Sequence, residues 1–254
     1  MEKTRHAKLN LDRVDNADRL AERALDVFCE DASRAIQEKG VFTVALSGGH
    51  TPVRFFELLG SSEQANSVKW DSVHLFWVDE RFVSPDSEDS NYGLAASTFL
   101  DKVGIPEQNI HRISGEETEY SKAVDQYEDQ IKSVFDLAAG EKPQFDLLVL
   151  GMGADGHIGS LYPNSVVLFD TEDIVSPVYF MGENINRITL TYPVIRKAEH
   201  ILIMISGRGK AETLRDVLTS EPDEVRYPVH TLWPILEKVT WLVDQEAAQY
   251  LEDY

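Results

Sequence analysis

An acid and an imidazole, Asp155 and His157, flank a single glycine in a turn that follows an apolar run. The run is Phe145-Asp-Leu-Leu-Val-Leu150; glycines follow at 151, 153 and 156, and Pro163 closes the stretch. Histidine changes charge near neutral pH, and a neighbouring carboxylate can orient it, so the pair suits proton transfer. A buried strand ending in a flexible turn would present both groups at a surface. The bland alternative is a histidine that merely caps or fills the turn.

The same turn, Gly151-Met-Gly153-Ala-Asp155-Gly156, fits the G-x-G-x-x-G spacing, with Asp170, Glu172 and Asp173 near the distance of a ribose-binding acid. A dinucleotide site also needs a long helix starting at the turn. Gly159 and Pro163 interrupt the residues that would form it, and no helical period follows. The turn also places an Asp and a His where a pyrophosphate needs neither, so a dinucleotide is not expected.

Two further turns carry anion chemistry. The apolar strand Val41–Leu46 runs into Ser47-Gly48-Gly49-His50-Thr51-Pro52, then the short helix 53–59. Thr51 as N-cap, Pro52 at the first helical position and Gly60 beyond the end would define that helix. Free N–H groups at such a strand–turn–helix junction favour an oxyanion, and the two glycines let it approach closely. The pattern repeats where the strand His200–Ile205 leads into Ser206-Gly-Arg-Gly-Lys210 and the helix 211–218. Lys210 would lie in the first turn, against the helix dipole, and a residue set against a local rule suggests function. Asp79-Glu80-Arg81 ends the strand 73–78, where open α/β sheets bind ligands. Arg81 suits a phosphate or carboxylate and Asp79 suits sugar hydroxyls; a local surface ion pair is the plain alternative.

Other chemistries lack support. His6, His74, His111, His200 and His230 are scattered without metal-ligand spacing. Ser160 stands in no G-x-S-x-G elbow. Cys29 is the one cysteine, so no intrachain disulfide can form; it adjoins an apolar helical stripe and reads as a small core residue.

The elements that position these groups alternate. An amphipathic helix is expected over 17–39, capped by Asp15 or Asn16, and another over 119–139. Residues 91–100 read as helical, and 109–113 as a connection with one short strand. Residues 174–179 read as an edge strand because of Pro177, 186–191 as a strand ended by Pro193, and 239–243 as a last strand before a short terminal helix. The fold class is therefore α/β, with a mainly parallel sheet flanked by helices, in one domain spanning 1–254. The 254 residues carry a formal charge of −20, spread along the chain, which argues against nucleic acid and anionic membrane as partners. No apolar run is long enough for a membrane span, and no signal-peptide pattern opens the chain, so a cytoplasmic protein is expected.

Together the segments resemble one family. Ser47-Gly-Gly-His-Thr-Pro52, Asp79-Glu-Arg81, Ser90-Asn91, Gly151-x-Gly-x-Asp155-Gly-His157 with Ser160-Leu-Tyr-Pro163, Arg187-Ile-Thr-Leu-Thr191 and Gly207-x-x-Lys210 occur in the order found in 6-phosphogluconolactonases. The resemblance covers about residues 17 to 243. It implies a Rossmann-like fold related to glucosamine-6-phosphate deaminase, and hydrolysis of 6-phospho-D-glucono-1,5-lactone to 6-phosphogluconate in the pentose phosphate pathway. It implies no organic cofactor and no catalytic metal, a small-molecule sugar phosphate lactone as partner, and leaves monomer or dimer open. By the same resemblance His157 is the general acid/base with Asp155 nearby, Gly153 shapes the turn, and residues 47–51, Arg187 and Lys210 hold phosphate. Asp79, Arg81 and Asn91 line the sugar and lactone end. Two departures stand out: His50 replaces the family's usual Ser, and Ile158-Gly159 replaces its more frequent Thr or Ile, then Ala. The deaminases instead carry Asp-Glu-Tyr at 79–81 and a ring-opening Glu where this chain has Tyr162, so the resemblance favours the lactonases. A sugar-phosphate-sensing module, the non-enzymatic use of the fold, would bring a DNA-binding domain and a basic surface.

Overall fold

The computed structural model describes residues 9–180 and 185–251; His6 lies outside them. Seven strands form one parallel sheet: β1 (Asn10–Val14), β2 (Phe42–Leu46), β3 (Val73–Trp77), β5 (Ile110–His111), β6 (Leu147–Gly151), β9 (His200–Ile205) and β10 (Val239–Asp244). Their order is β1-β10-β9-β6-β2-β3-β5. Strands β2, β3, β6, β9 and β10 are almost continuous apolar runs because a parallel sheet is covered on both faces. Three further strands, β4 (Asp79–Arg81), β7 (Val175–Val178) and β8 (Arg187–Leu190), make a small antiparallel sheet in the order β4-β8-β7. Pro177 sits on the edge strand β7, as its missing N–H requires.

Helix α1 (Ala17–Lys39) has the bounds its signals predict. The Asn16 side chain accepts the Arg19 N–H, and Gly40, at φ 80°, closes the helix by donating to the Ile36 carbonyl. Its apolar stripe, including Leu20, Ala24 and Phe28, is buried. Phe28 meets Phe42, Phe55 and Trp70 in one aromatic cluster between helix and sheet. The remaining α-helices are α2 (Val53–Leu59), α3 (Glu63–Asn66), α4 (Asn91–Thr98), α5 (Tyr120–Phe135), α6 (Tyr192–Lys197) and α7 (Ala211–Thr219).

Several local expectations are corrected. Pro52, not Thr51, takes the N-cap position of α2, and no side chain caps that end. Lys210 is itself the N-cap of α7, after a single 3-10 turn, Arg208–Lys210. Pro193 does not merely end a strand; it lies in the first turn of α6, where its fixed φ and absent N–H fit. Turns rather than a helix follow β10. No α-helix starts at the Gly151–Gly156 turn, as the interrupted sequence requires; the next helical turn is the 3-10 segment Val166–Phe169.

The passage from the large sheet to the small one builds the site. Strand β3 ends at Trp77, whose N–H donates to the Tyr127 hydroxyl oxygen at 2.9 Å while that O–H donates to the Trp77 carbonyl at 2.6 Å. Tyr127 thus satisfies backbone groups that a continuing ladder would have paired. Val78 bridges the sheets: its N–H reaches the Leu46 carbonyl, and its carbonyl accepts the Leu190 N–H. Beyond it the chain enters β4, whose partner is β8, with Asp79 opposite Thr189 and Arg81 opposite Arg187.

Candidate active site

The chain order reverses between β2 and β6, adjacent strands followed by connections leading to opposite sides of the sheet. Ligand crevices of open α/β sheets form at such a switch point, beyond the carboxyl ends of the strands. A cleft of about 370 Å³ opens there. The segment after β2 contributes Ser47, Gly48, Gly49, His50 and Thr51; β6 and its turn contribute Gly151, Met152, Gly153 and His157. Strand β4 adds Asp79 and Arg81, the start of α4 adds Asn91, and the turn after β9 adds Ser206 and Lys210.

Local geometry explains each placement. Side chains alternate along a strand, so Asp79 and Arg81 share one face of β4 while Glu80 points the other way. Asp79 is buried and accepts a hydrogen bond from Ser160 Oγ at 2.7 Å. The Arg81 guanidinium donates to the Asp89 carbonyl. Asn91 donates from Nδ2 to the Asp79 carbonyl at 2.8 Å; its Oδ1 is buried without a partner among the described residues. Gly48 is a glycine because a β-carbon there would meet Asn91 Oδ1 at 2.0 Å.

His157 and Asp155 are joined, Nδ1 to Oδ1, at 2.6 Å, and Oδ1 also accepts the His157 N–H at 3.2 Å. Burial acts to raise the Asp155 carboxyl, but its hydrogen bond to His157 and the charge there outweigh this and hold it below the usual carboxylate range. The turn closes through a Gly153 N–H to His157 carbonyl bond of 2.8 Å. The His157 ring lies 4.3 Å, centroid to centroid, from that of Tyr162, another residue of the cleft wall.

The cleft lining also offers donors. Among the described residues, the backbone N–H groups of Gly48, Gly49, His50 and Thr51 have no acceptor. Ser47 Oγ is buried and also unpartnered among them. Lys210 is half-buried, and its side chain makes no hydrogen bond or ion pair within the described residues. Burial pulls its pKa down, with Asp155 opposing that fall. A cation and several N–H groups left open at one end of a cleft form a binding surface for an anion.

Two expected site residues flank the cleft without lining it. Asp155 backs His157 and does not line the cleft. Arg187 lies beside Arg81 on the paired strand, above the Phe180 ring at 5.7 Å. Burial lowers its pKa, and the charge of Arg81 lowers it further. Sequence reasoning missed Ser160 and Tyr162 as supports, and it missed Glu80. The Ser160 hydroxyl had a signal only in its place beside the Asp155–His157 turn; a contact 81 residues away has none. Cys29 is half-buried, its thiol pushed up to about 11 chiefly by burial, in keeping with an unreactive residue.

The family model of glucosamine-6-phosphate isomerases/6-phosphogluconolactonase matches residues 15–241. A 6-phosphogluconolactonase of Synechocystis is 35% identical over 241 residues, covering 95% of this chain and 98% of that protein. The solved 6-phosphogluconolactonase of Trypanosoma cruzi superposes with a TM-score of 0.84 at 25% identity, covering 96% of this chain and 97% of that one. A monomeric glucosamine-6-phosphate deaminase shares the fold, with a TM-score of 0.78 at 22% identity, over 95% and 99% of the two chains. With its cleft at the sheet's switch point and its motifs gathered around that cleft, the chain belongs to the glucosamine-6-phosphate isomerase/6-phosphogluconolactonase family.

Proposed function

We propose that the protein hydrolyses 6-phospho-D-glucono-1,5-lactone to 6-phospho-D-gluconate. One observation carries the reading: His157, backed by Asp155, shares one cleft with open backbone N–H groups and the unpaired side chain of Lys210. The family's lactonase members act on a substrate of that chemistry, a reactive ester at one end and a phosphate at the other. The cleft is about large enough for one sugar phosphate.

The roles follow from the geometry. Asp155 accepts the Nδ1 proton of His157 and so leaves Nε2 as the base. His157 takes a proton from water as the water oxygen bonds to the C1 carbonyl carbon. It returns that proton to the ring oxygen as the C1–O bond breaks, so the imidazole ends as it began. Arg81 stabilises the developing oxyanion. The turn 47–51 and Lys210 hold the phosphate, Arg187 adds positive potential beside Arg81, and Asp79 and Asn91 meet the sugar hydroxyls. Fixing the phosphate brings C1 to the water, an effect of orientation. No step calls for a metal or an organic cofactor.

The deaminase reading fares less well at Tyr162. A ring-opening carboxylate is needed near that position, and burial pushes the Tyr162 phenol up rather than down, so it stays neutral at physiological pH. Fresh lactone, followed to 6-phosphogluconate at mildly acidic pH, tests the proposal alongside ammonia release from glucosamine 6-phosphate. Acceleration by wild type that is lost in His157→Ala is expected, with a drop of about 10²–10⁴-fold. Ammonia release without lactonase activity overturns the reading in favour of the deaminases. Binding of sugar phosphate with neither activity makes the cleft a sensor site.

A further inference from the structure

Glu80 is the one member of the Asp79–Arg81 triplet that the reaction above does not use. It is 2% exposed, so its charge needs internal partners. It has four. Oε1 accepts the N–H of Arg81 at 2.7 Å and of Asn91 at 2.7 Å; Oε2 accepts the N–H of Tyr92 at 2.8 Å and the Ser90 hydroxyl at 3.1 Å. Burial pushes the Glu80 carboxyl up, and these four donors oppose that rise. Three donors belong to the first residues of α4 or its cap, and one to β4. The carboxylate therefore bridges the strand that carries Arg81 and the helix start that carries Asn91, both in the cleft wall. A second bond ties the same pair of elements: Asn91 Nδ2 to the Asp79 carbonyl. Asn91 Oδ1 is left buried, open, and pressed toward Gly48.

We propose that Glu80 is a positioning residue for the lactone end of the substrate: by bridging β4 to the N-terminus of α4 it fixes Arg81 and Asn91 against the sugar without touching it. The proposal rests on the lactonase reading of the cleft. It separates the two ends of the ligand. The phosphate end, at 47–51 and Lys210, shares no hydrogen bond with Glu80 and meets the bridged elements only where Asn91 packs near Gly48, whereas the sugar end depends on both elements that Glu80 joins.

The test is Glu80→Gln, which keeps the size but turns one of the two acceptor atoms into a donor, leaving two of the four donors without an acceptor. Thermal unfolding first establishes that the variant is folded. Calorimetry then measures Kd for two probes, inorganic phosphate and 6-phospho-D-gluconate, beside kcat and KM for the lactone. The expected result is a phosphate Kd within about twofold of wild type, a 6-phosphogluconate Kd weakened roughly tenfold, and a kcat lowered at least as much. Equal weakening of both probes means a general lesion and overturns the proposal; so do constants all within twofold of wild type. Should Glu80→Gln fail to fold, Ser90→Ala removes one of the four donors, together with the α4 cap that accepts the Gly93 N–H, and keeps the charge. It is expected to lower kcat about threefold with phosphate binding intact, and an unchanged kcat overturns the proposal. A wild type that binds both probes yet leaves the lactone untouched sinks the lactonase reading alone, since the two dissociation constants still judge the bridge. A wild type that binds neither probe sinks both.

Discussion

Gly153→Ala isolates the catalytic pair with the smallest possible change. A β-carbon at 153 would lie 2.1 Å from His157 Nδ1, 2.3 Å from its Cε1 and 2.5 Å from Asp155 Oδ1. Ordinary contact starts near 3.4 Å, so the ring and the carboxylate must both retreat by roughly 1 Å. The backbone at 153 is not in the left-handed region, so alanine fits its dihedral angles and the effect is one of contact alone. Misplacing a reacting group by about 1 Å costs on the order of 10²-fold in rate, or ~2.7 kcal/mol of barrier. The phosphate end is untouched, so KM should change by less than about threefold. The assay is steady-state lactone hydrolysis corrected for the spontaneous reaction, with thermal unfolding as the check on folding. The turn is partly solvent-exposed, so the loss of stability should be about 1 kcal/mol. A folded Gly153→Ala enzyme with a kcat within threefold of wild type would refute the reasoning, because the pair would then tolerate displacement and could not be the seat of proton transfer.

Three other outcomes are expected. Asp155→Asn removes the charge that holds the His157 tautomer and should lower kcat by about 10²-fold with KM nearly unchanged; a mutant as active as wild type would reduce Asp155 to a turn residue. Lys210→Ala deletes an unpaired cation facing the phosphate and should raise KM about tenfold or more, with a smaller change in kcat, as read from initial rates over a range of lactone concentrations. The third concerns acid stability. His111 stacks on Phe76 at 4.3 Å and hydrogen-bonds His74 at 3.0 Å, and burial, with the charge of His74, pushes it down to about 4. Below the unfolded value of 6.5 the unfolded chain binds a proton that the folded chain refuses, so stability is full above that pH and falls as pH drops toward about 4. Urea unfolding across this window should show a loss on the order of 2 kcal/mol, flattened in His111→Phe; an unchanged slope in that variant would remove His111 as the cause.

What the sequence makes legible follows from which residues decide each element alone. The strands around β6 declare themselves because burial on both faces demands apolar side chains at every position, and α1 declares both ends through Asn16 and Gly40. Strand β1, Asn-Leu-Asp-Arg-Val, carries no such pattern; it is a strand because β10 offers it an edge, Asn10 facing Thr240. Strand β4 is a run of three charged residues and exists because β8 pairs with it, so it was invisible, although β7 and β8 were each expected as strands. Among site residues, glycine turns and the Asp155–His157 spacing are local features and can be read directly. The roles of Ser160 and Glu80 depend on partners elsewhere in the fold, and the acidity of Glu80 beside Arg81 looks like a surface ion pair until its burial is known. The placement of Arg187 beside Arg81 on the paired strand is set by strand register, which no motif encodes.

The pairing of β1 with β10 also sets an order of events. Asn10 Nδ2 hydrogen-bonds Thr240 Oγ1 across 230 positions of chain, and the Arg13 guanidinium holds the Leu251 carbonyl. On a ribosome the first strand therefore emerges long before the edge it must join, and it waits, polar and unpaired, until the last strand has been made. Closure across so long a separation is slow, and the interval leaves the edge of β9 open to other chains. The low apolar content of β1 serves that interval: a strand that is harmless while alone can be held in reserve and added last.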